Sequence, residues 1–158
     1  MFREVTRANQ ALPEESCIEI LQSAKRGVLA VLGDEAYPYA VPIDYWYCEE
    51  DGRIYFHSGK EGHKVDALRA HDKASFCVLD EGEQAEKGWW LRFRSVIVFG
   101  RLQVVQEHEK KLEISRKLSL KFTQDTGYIE REIDGLLDKT LFLTLIPEHM
   151  TGKLVNER

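Results

Sequence analysis

The segment from Tyr37 to Tyr47 constrains the fold more than any other. Its odd positions are Tyr37, Tyr39, Val41, Ile43, Tyr45 and Tyr47, and its even positions are Pro38, Ala40, Pro42, Asp44 and Trp46. Alternation of this length marks a β-strand with one face on a core and a different task on the other. Pro38 and Pro42 have no N–H to give a ladder, so this strand carries an edge, a bulge or a kink near Pro42. Glu49-Glu50-Asp51-Gly52 supplies a polar turn and Arg53–Ser58 a returning strand, which together make a hairpin.

The spacing predicts a helix over 13–26. Pro13 suits its first position, Glu14 and Glu15 its positive end, and Cys17, Ile18, Leu21 and Ala24 its apolar stripe. Lys25 and Arg26 favour its C-terminal end and Gly27 the stop, after which Val28–Leu32 reads as an apolar strand turned by Gly33-Asp34. His63–His71 is a short helix, Ala74–Asp80 a strand, and Glu81–Lys87 a charged loop. Trp89–Val105 is long and β-rich, with Gly100 a bulge or a point of close approach. Glu107–Phe122 and Tyr128–Leu137 have helical periodicity, the first with Leu112, Ser115, Leu118 and Phe122 on one stripe. Leu141–Ile146 is a last strand and Pro147–Leu154 a tail. This order lacks the βαβα alternation of a doubly wound sheet. A mainly β, predominantly antiparallel barrel with helices outside is expected, in one domain over residues 1–158.

Charge and cysteine usage exclude several classes. Lys+Arg 22 against Asp+Glu 27 leaves a formal charge of −5, a poor basis for sequence-independent nucleic-acid binding. Cys17, Cys48 and Cys77 are odd in number and lack CxxC spacing, which argues against a disulfide framework or a structural zinc and for small apolar roles as reduced thiols. His57, His63 and His71 are not at zinc-ligand spacing. No apolar run has the length of a membrane span, and Met1–Arg7 mixes charges where a signal peptide needs an apolar stretch. A cytoplasmic location without membrane partners is expected.

Chemistry concentrates in Ile54–Leu68, where a strand ends at Ser58, a glycine-flanked loop follows, and a helix opens on His63 and Lys64. Unpaired N–H groups and the helix dipole make such a start attractive to phosphate. Basic residues are unfavourable there on dipole grounds alone, and an anionic ligand beside Ser58, Lys60, His63 and Lys64 would compensate them. A solvated basic turn is the competing reading. The glycine spacing matches neither the Walker A loop nor the dinucleotide fingerprint. His57 is open to two readings as well, a catalytic group or a strand-end histidine bonded to backbone.

Tyr37–Pro42, Ile54–Leu68, Ser75–Val78, Ser95–Gly100 and His149–Lys153 together resemble the Nim-type nitroimidazole-resistance proteins. These belong to the pyridoxamine phosphate oxidase-like, FMN-binding split-barrel superfamily. The resemblance runs from about residue 2 to 155. It implies a split β-barrel in which Ser58, His63 and Lys64 hold the FMN phosphate and Pro42, Ile43 and Asp44 run beside the isoalloxazine ring. It also implies a flavin-proximal histidine, assigned to His57 in preference to His63. A homodimer follows in which the partner's strand around 90–99, with Arg92 or Arg94, completes each pocket. Asp44 beside a reduced ring would be unfavourable; it points away, pairs with Arg53 or Arg101, or tunes the flavin potential downward.

The implied activity is reduction of a small nitroaromatic or similar electrophile by FMN, with NADH or NADPH as candidate donor. His57 would act as the acid. Alternatives are a flavin-sequestering protein with little turnover and a haem-binding split barrel. A pyridoxamine phosphate oxidase proper is disfavoured, because His63-Lys64 stands where that enzyme has an Arg-Lys phosphate pair.

Overall fold

In the computed structural model, which describes residues 1–84, 86–88 and 90–156, the chain forms eight strands of one antiparallel sheet, two of them, at 11–12 and 83–84, short pairings that the sequence pattern does not show. In chain order the elements are β1 (Ala11–Leu12), α1 (Glu14–Ser23), β2 (Arg26–Leu32), β3 (Pro38–Cys48), β4 (Arg53–Gly59) and α2 (His63–Ala70). Then come β5 (Lys73–Leu79), β6 (Glu83–Gln84), β7 (Leu91–Val104), α3 (His108–Leu120), α4 (Thr126–Leu136) and β8 (Thr140–Asn156). The strand order is β1-β8-β4-β3-β2-β5-β7-β6, and β8 also pairs with β7, which closes the ring β8-β4-β3-β2-β5-β7 into a split barrel.

The closure depends on the length of β8. Its first half pairs with β4 from Leu145 back to Thr140, while Leu143–Asn156 runs along β7. The predicted tail Pro147–Leu154 is therefore strand. A register shift at Phe99/Gly100, together with Pro147, breaks the alternation that would have betrayed it. Gly100 is the close approach expected of it, since a Cβ there would collide with the Ile146 carbonyl.

The predicted helix over 13–26 ends earlier, at Ser23. Ala24 is already extended and Arg26 opens β2. Gly27 is thus not a helix stop but a packing position, where the Phe76 ring fills the space a side chain would take. Phe76 stands edge-on to Tyr45 and Phe56, with centroids at 4.9 and 5.1 Å, at the middle of the barrel interior. Cys17, Ile20 and Leu21 of α1 join this interior cluster, and Cys17 serves as the small apolar residue expected.

β3 has the edge that its prolines demand. It pairs with β2 from Pro38 to Asp44 but with β4 only from Tyr45 to Cys48, so one side of its first half is free. Outside the barrel, α3 covers a second cluster of Cys48, Tyr55, Ile114, Leu118 and Phe142. Lys121 pins the end of α3, donating to the carbonyls of Ala24 at 2.6 Å and Tyr45 at 2.8 Å. Burial there pushes its ammonium down to about 8.

Candidate functional site

The free edge of β3 meets the end of β4 at a shallow depression lined by Arg26, Pro42, Ile43, Asp44 and His57. The β2–β3 register sets Arg26 directly across from Asp44, and its Nε donates to the Asp44 carboxylate at 2.6 Å. Neither expected partner is involved. Arg101 is tied to Asp72 and Glu148, and Arg53 lies at the turn, its N–H donating to Asp51. Arg26 is the site residue that sequence reasoning missed, because a position assigned to a helix end has no cross-strand neighbour.

His57 occupies an outward position of β4, its surface open to solvent on one side but its ring crowded by neighbouring atoms, and its imidazole has no hydrogen-bond partner among the described residues. Burial by its surroundings pushes its pKa below the ordinary histidine value; the Asp44 carboxylate opposes this and the Lys64 ammonium adds to it. These couplings bring His57, Asp44 and Lys64 into one electrostatic unit, although Lys64 stands on the next element.

Ser58 is the following residue of β4, buried on the inward side, with Oγ donating to the Gly59 carbonyl at 3.0 Å. α2 begins after Gly62, whose φ of 118° suits only glycine, and no side chain caps its first turn. The Val65 and Asp66 N–H groups bond the Gly62 carbonyl, which leaves those of His63 and Lys64 unbonded among the described residues. The half-buried Lys64 likewise has no ion-pair partner among them. His63 behaves differently. Its Nε2 accepts the Asp34 N–H at 3.2 Å and its ring stacks on Tyr39 at 4.1 Å, filling the space a Cβ on Gly33 would need. The neutral ring must then carry its proton on Nδ1.

Arg92 and Arg94 are not gathered here within one chain. They line a separate depression with Asp80 and Glu83, where the Arg94 N–H and Nε both reach the Asp80 carboxylate at 2.8 Å. Trp90 is half-buried, and Trp89 lies outside the described residues.

A planar cofactor with a phosphate tail fits what is present. The tail finds an unpartnered ammonium at an uncapped helix start, and the ring finds a free strand edge one strand away. Among the described residues no group of three or more His, Cys, Asp or Glu side chains converges to hold a metal ion, and no helix is long and apolar enough to cross a membrane.

A closed antiparallel ring of six strands with α3 packed outside defines a split-barrel protein. The chain belongs to the pyridoxamine 5'-phosphate oxidase family, whose model matches residues 13–154. Among solved structures it is similar to a "putative 5-nitroimidazole antibiotic resistance protein" from Bacteroides thetaiotaomicron. That match has 19% identity and a TM-score of 0.77, covering 92% of this chain and 87% of that one. A FAD-binding protein from Mesorhizobium loti matches at 24% identity and TM-score 0.69, over 92% and 95% of the two chains. A FAD and heme binding protein from Mycobacterium smegmatis matches at 20% identity and TM-score 0.67, over 94% and 74%. At these identities the likeness establishes the fold. No curated protein matches the sequence.

Proposed function

We propose that this chain is an FMN-dependent reductase that acts as a homodimer and passes electrons, drawn from NADH or NADPH, to a small nitroaromatic or similar electrophile. The observation that carries the reading is Lys64, an unpartnered ammonium at an uncapped helix start beside the free edge of β3. Lys64, the α2 N–H groups and Ser58 would hold the phosphate. Pro42, Ile43 and Asp44 would lie along the ring. His63, engaged with Asp34 and Tyr39, would position the loop, leaving Nδ1–H as its one donor. The bound flavin supplies the redox chemistry.

The remaining work falls to side chains. Arg26 neutralises Asp44 and so lowers the cost of a carboxylate beside an electron-rich ring. The depressed pKa of His57 favours its neutral imidazole, which would offer an N–H donor to a developing oxyanion. In a dimer, the exposed Arg92 of the second copy is freer to reach a flavin than Arg94, which Asp80 already engages.

Purified protein soaked in FMN and desalted should retain a flavin absorption spectrum; a colourless product would overturn the proposal. Rapid-mixing reduction by NADH or NADPH then separates reductase from flavin store, since a store is not reduced at a useful rate. A Soret band in place of the flavin spectrum would assign the site to haem.

A further inference from the structure

A second cavity, of about 250 Å³, opens between the α3–α4 pair and the barrel wall. It shares Asp44 and His57 with the depression at the β3 edge and otherwise has its own lining. Leu118 and Phe122 of the α3 segment, Ile133 and Leu136 of α4 and Phe142 of β8 make it predominantly apolar.

Its emptiness is built into the sequence. α3 turns Ser115 and Ser119 to the cavity at a four-residue interval, small side chains on one helical face beside the buried Ile114 and Leu118, and Thr123 lines it just beyond the helix end. Protein interiors pack to crystal density, and a face meant to close on the barrel would carry Leu or Ile at these positions. The opposite wall is equally unfinished. α4 buries only Ile129 and Ile133 among the described residues, while Phe122, Tyr128 and Leu136 remain about half exposed. The exposed Arg116–Glu130 pair bridges the two helices bidentately, at 2.7 and 2.9 Å.

Charge selects further. The titratable groups lining the cavity are Asp44, His57, Tyr128 and Glu132, with no lysine or arginine among them. Asp44 is paired with Arg26 outside, whereas Glu132 has no ion pair among the described residues. A bound anion would find the unpaired Glu132 carboxylate, an Asp44 already held by Arg26, and no lysine or arginine in the lining to receive it. As for size, a dry cavity of about 150 Å³ takes one benzene, so this one admits a single ring with one or two substituents.

We infer that the α3–α4 cavity is a binding site for an uncharged or cationic monocyclic aromatic compound, with its polar substituent turned to His57. Its role as the acceptor site rests on the reductase reading, but its occupancy does not. It excludes phosphorylated and carboxylated substrates from a protein whose other pocket seeks phosphate.

The test is titration of the full chain, with and without FMN, by nitrobenzene, 4-nitrobenzylammonium and 4-nitrobenzoate, followed by calorimetry. Methyl NMR then maps the bound ligand. Nitrobenzene and the cation should bind and shift the methyl signals of Leu118, Ile133 and Leu136, and 4-nitrobenzoate should bind at least tenfold more weakly. Ser119→Leu, or Ser115→Leu should that variant not fold, should weaken nitrobenzene binding tenfold or more while FMN affinity stays unchanged. Equal binding of the anion, methyl shifts confined elsewhere, or nitrobenzene binding undiminished in a folded Leu variant would each overturn the inference. FMN binding without nitrobenzene binding removes the cavity and keeps the flavin site. Nitrobenzene binding without FMN binding does the reverse.

Discussion

The barrel has two outer faces built to opposite rules. Under α3 the outward residues of β3, β4 and β8 are large and covered, with Trp46 stacked on Tyr55 at 5.3 Å, Phe142 buried, and Lys110 5.1 Å from the Tyr55 ring. Across the barrel the outward residues of β2, β5 and β7 include Val28, Leu32, Leu79, Ile97 and Phe99, all substantially exposed. The N-terminal Phe2 lies over part of this face, stacked against Phe99 and His149 at 5.6 and 4.9 Å. The chain has thus laid α3 over one face and left much of the other's apolar surface for something else, which under the proposed dimer is a second copy. The β3 edge, with Pro42, Asp44 and His57, lies at the seam between the two faces. A ligand there can take one wall from each.

The comparison breaks first if truncation has the same effect on both faces. Phe142→Ala, on the covered face, should cost about 3–5 kcal/mol of folding stability, read as a lowered denaturant midpoint. Ile97→Arg, on the bare face, should leave the folding midpoint near that of the wild type in dilute solution while shifting the mass seen by light scattering from two chains to one. The expected weakening of association is on the order of 2 kcal/mol or more for each guanidinium that would be buried. A wild-type protein that is already one chain at high concentration would remove the reason offered for the bare face.

At the seam, Lys64→Ala should weaken FMN binding by about 1.5–3 kcal/mol, the value of one charge-assisted hydrogen bond, measured by quenching of flavin fluorescence. His63→Ala is the sharper companion. If His63 acts through Tyr39 and Asp34, its loss should lower thermal stability along with affinity, whereas Lys64→Ala should lower affinity alone.

Much of this was legible in the sequence, for identifiable reasons. The edge near Pro42 could be read because proline has no N–H, and the packing at Gly100 because a glycine inside a strand marks close approach. The stripe of Leu112, Ser115, Leu118 and Phe122 was visible too, but nothing local to Ser115 announces the cavity it lines. What stayed hidden depended on partners distant in the chain. Arg26 meets Asp44 only through the β2–β3 register, and β8 extends to Asn156 only because β7 is long enough to pair with it. His63 seemed free for phosphate because nothing local to it announces Gly33, Asp34 and Tyr39.

The smallest effect expected is also the most direct probe of the seam. The His57 imidazole titrates below its unfolded value of 6.5, so as pH falls the unfolded chain takes up this proton first. Its contribution to stability is therefore unperturbed well above 6.5, declines as pH falls through that value, and levels off below the folded pKa. His57→Gln should flatten that part of the stability profile. The imidazole Cε1–H resonance should report the two neighbours with opposite signs. Lys64→Ala removes a repelling ammonium and should raise the pKa, and Asp44→Asn removes an attracting carboxylate and should lower it. FMN added to the wild type should move the pKa in the Lys64→Ala direction, because a phosphate neutralises the same ammonium. If Lys64→Ala leaves the His57 titration where it was, the helix start and the histidine do not share a field. The phosphate end and the histidine would then belong to separate sites.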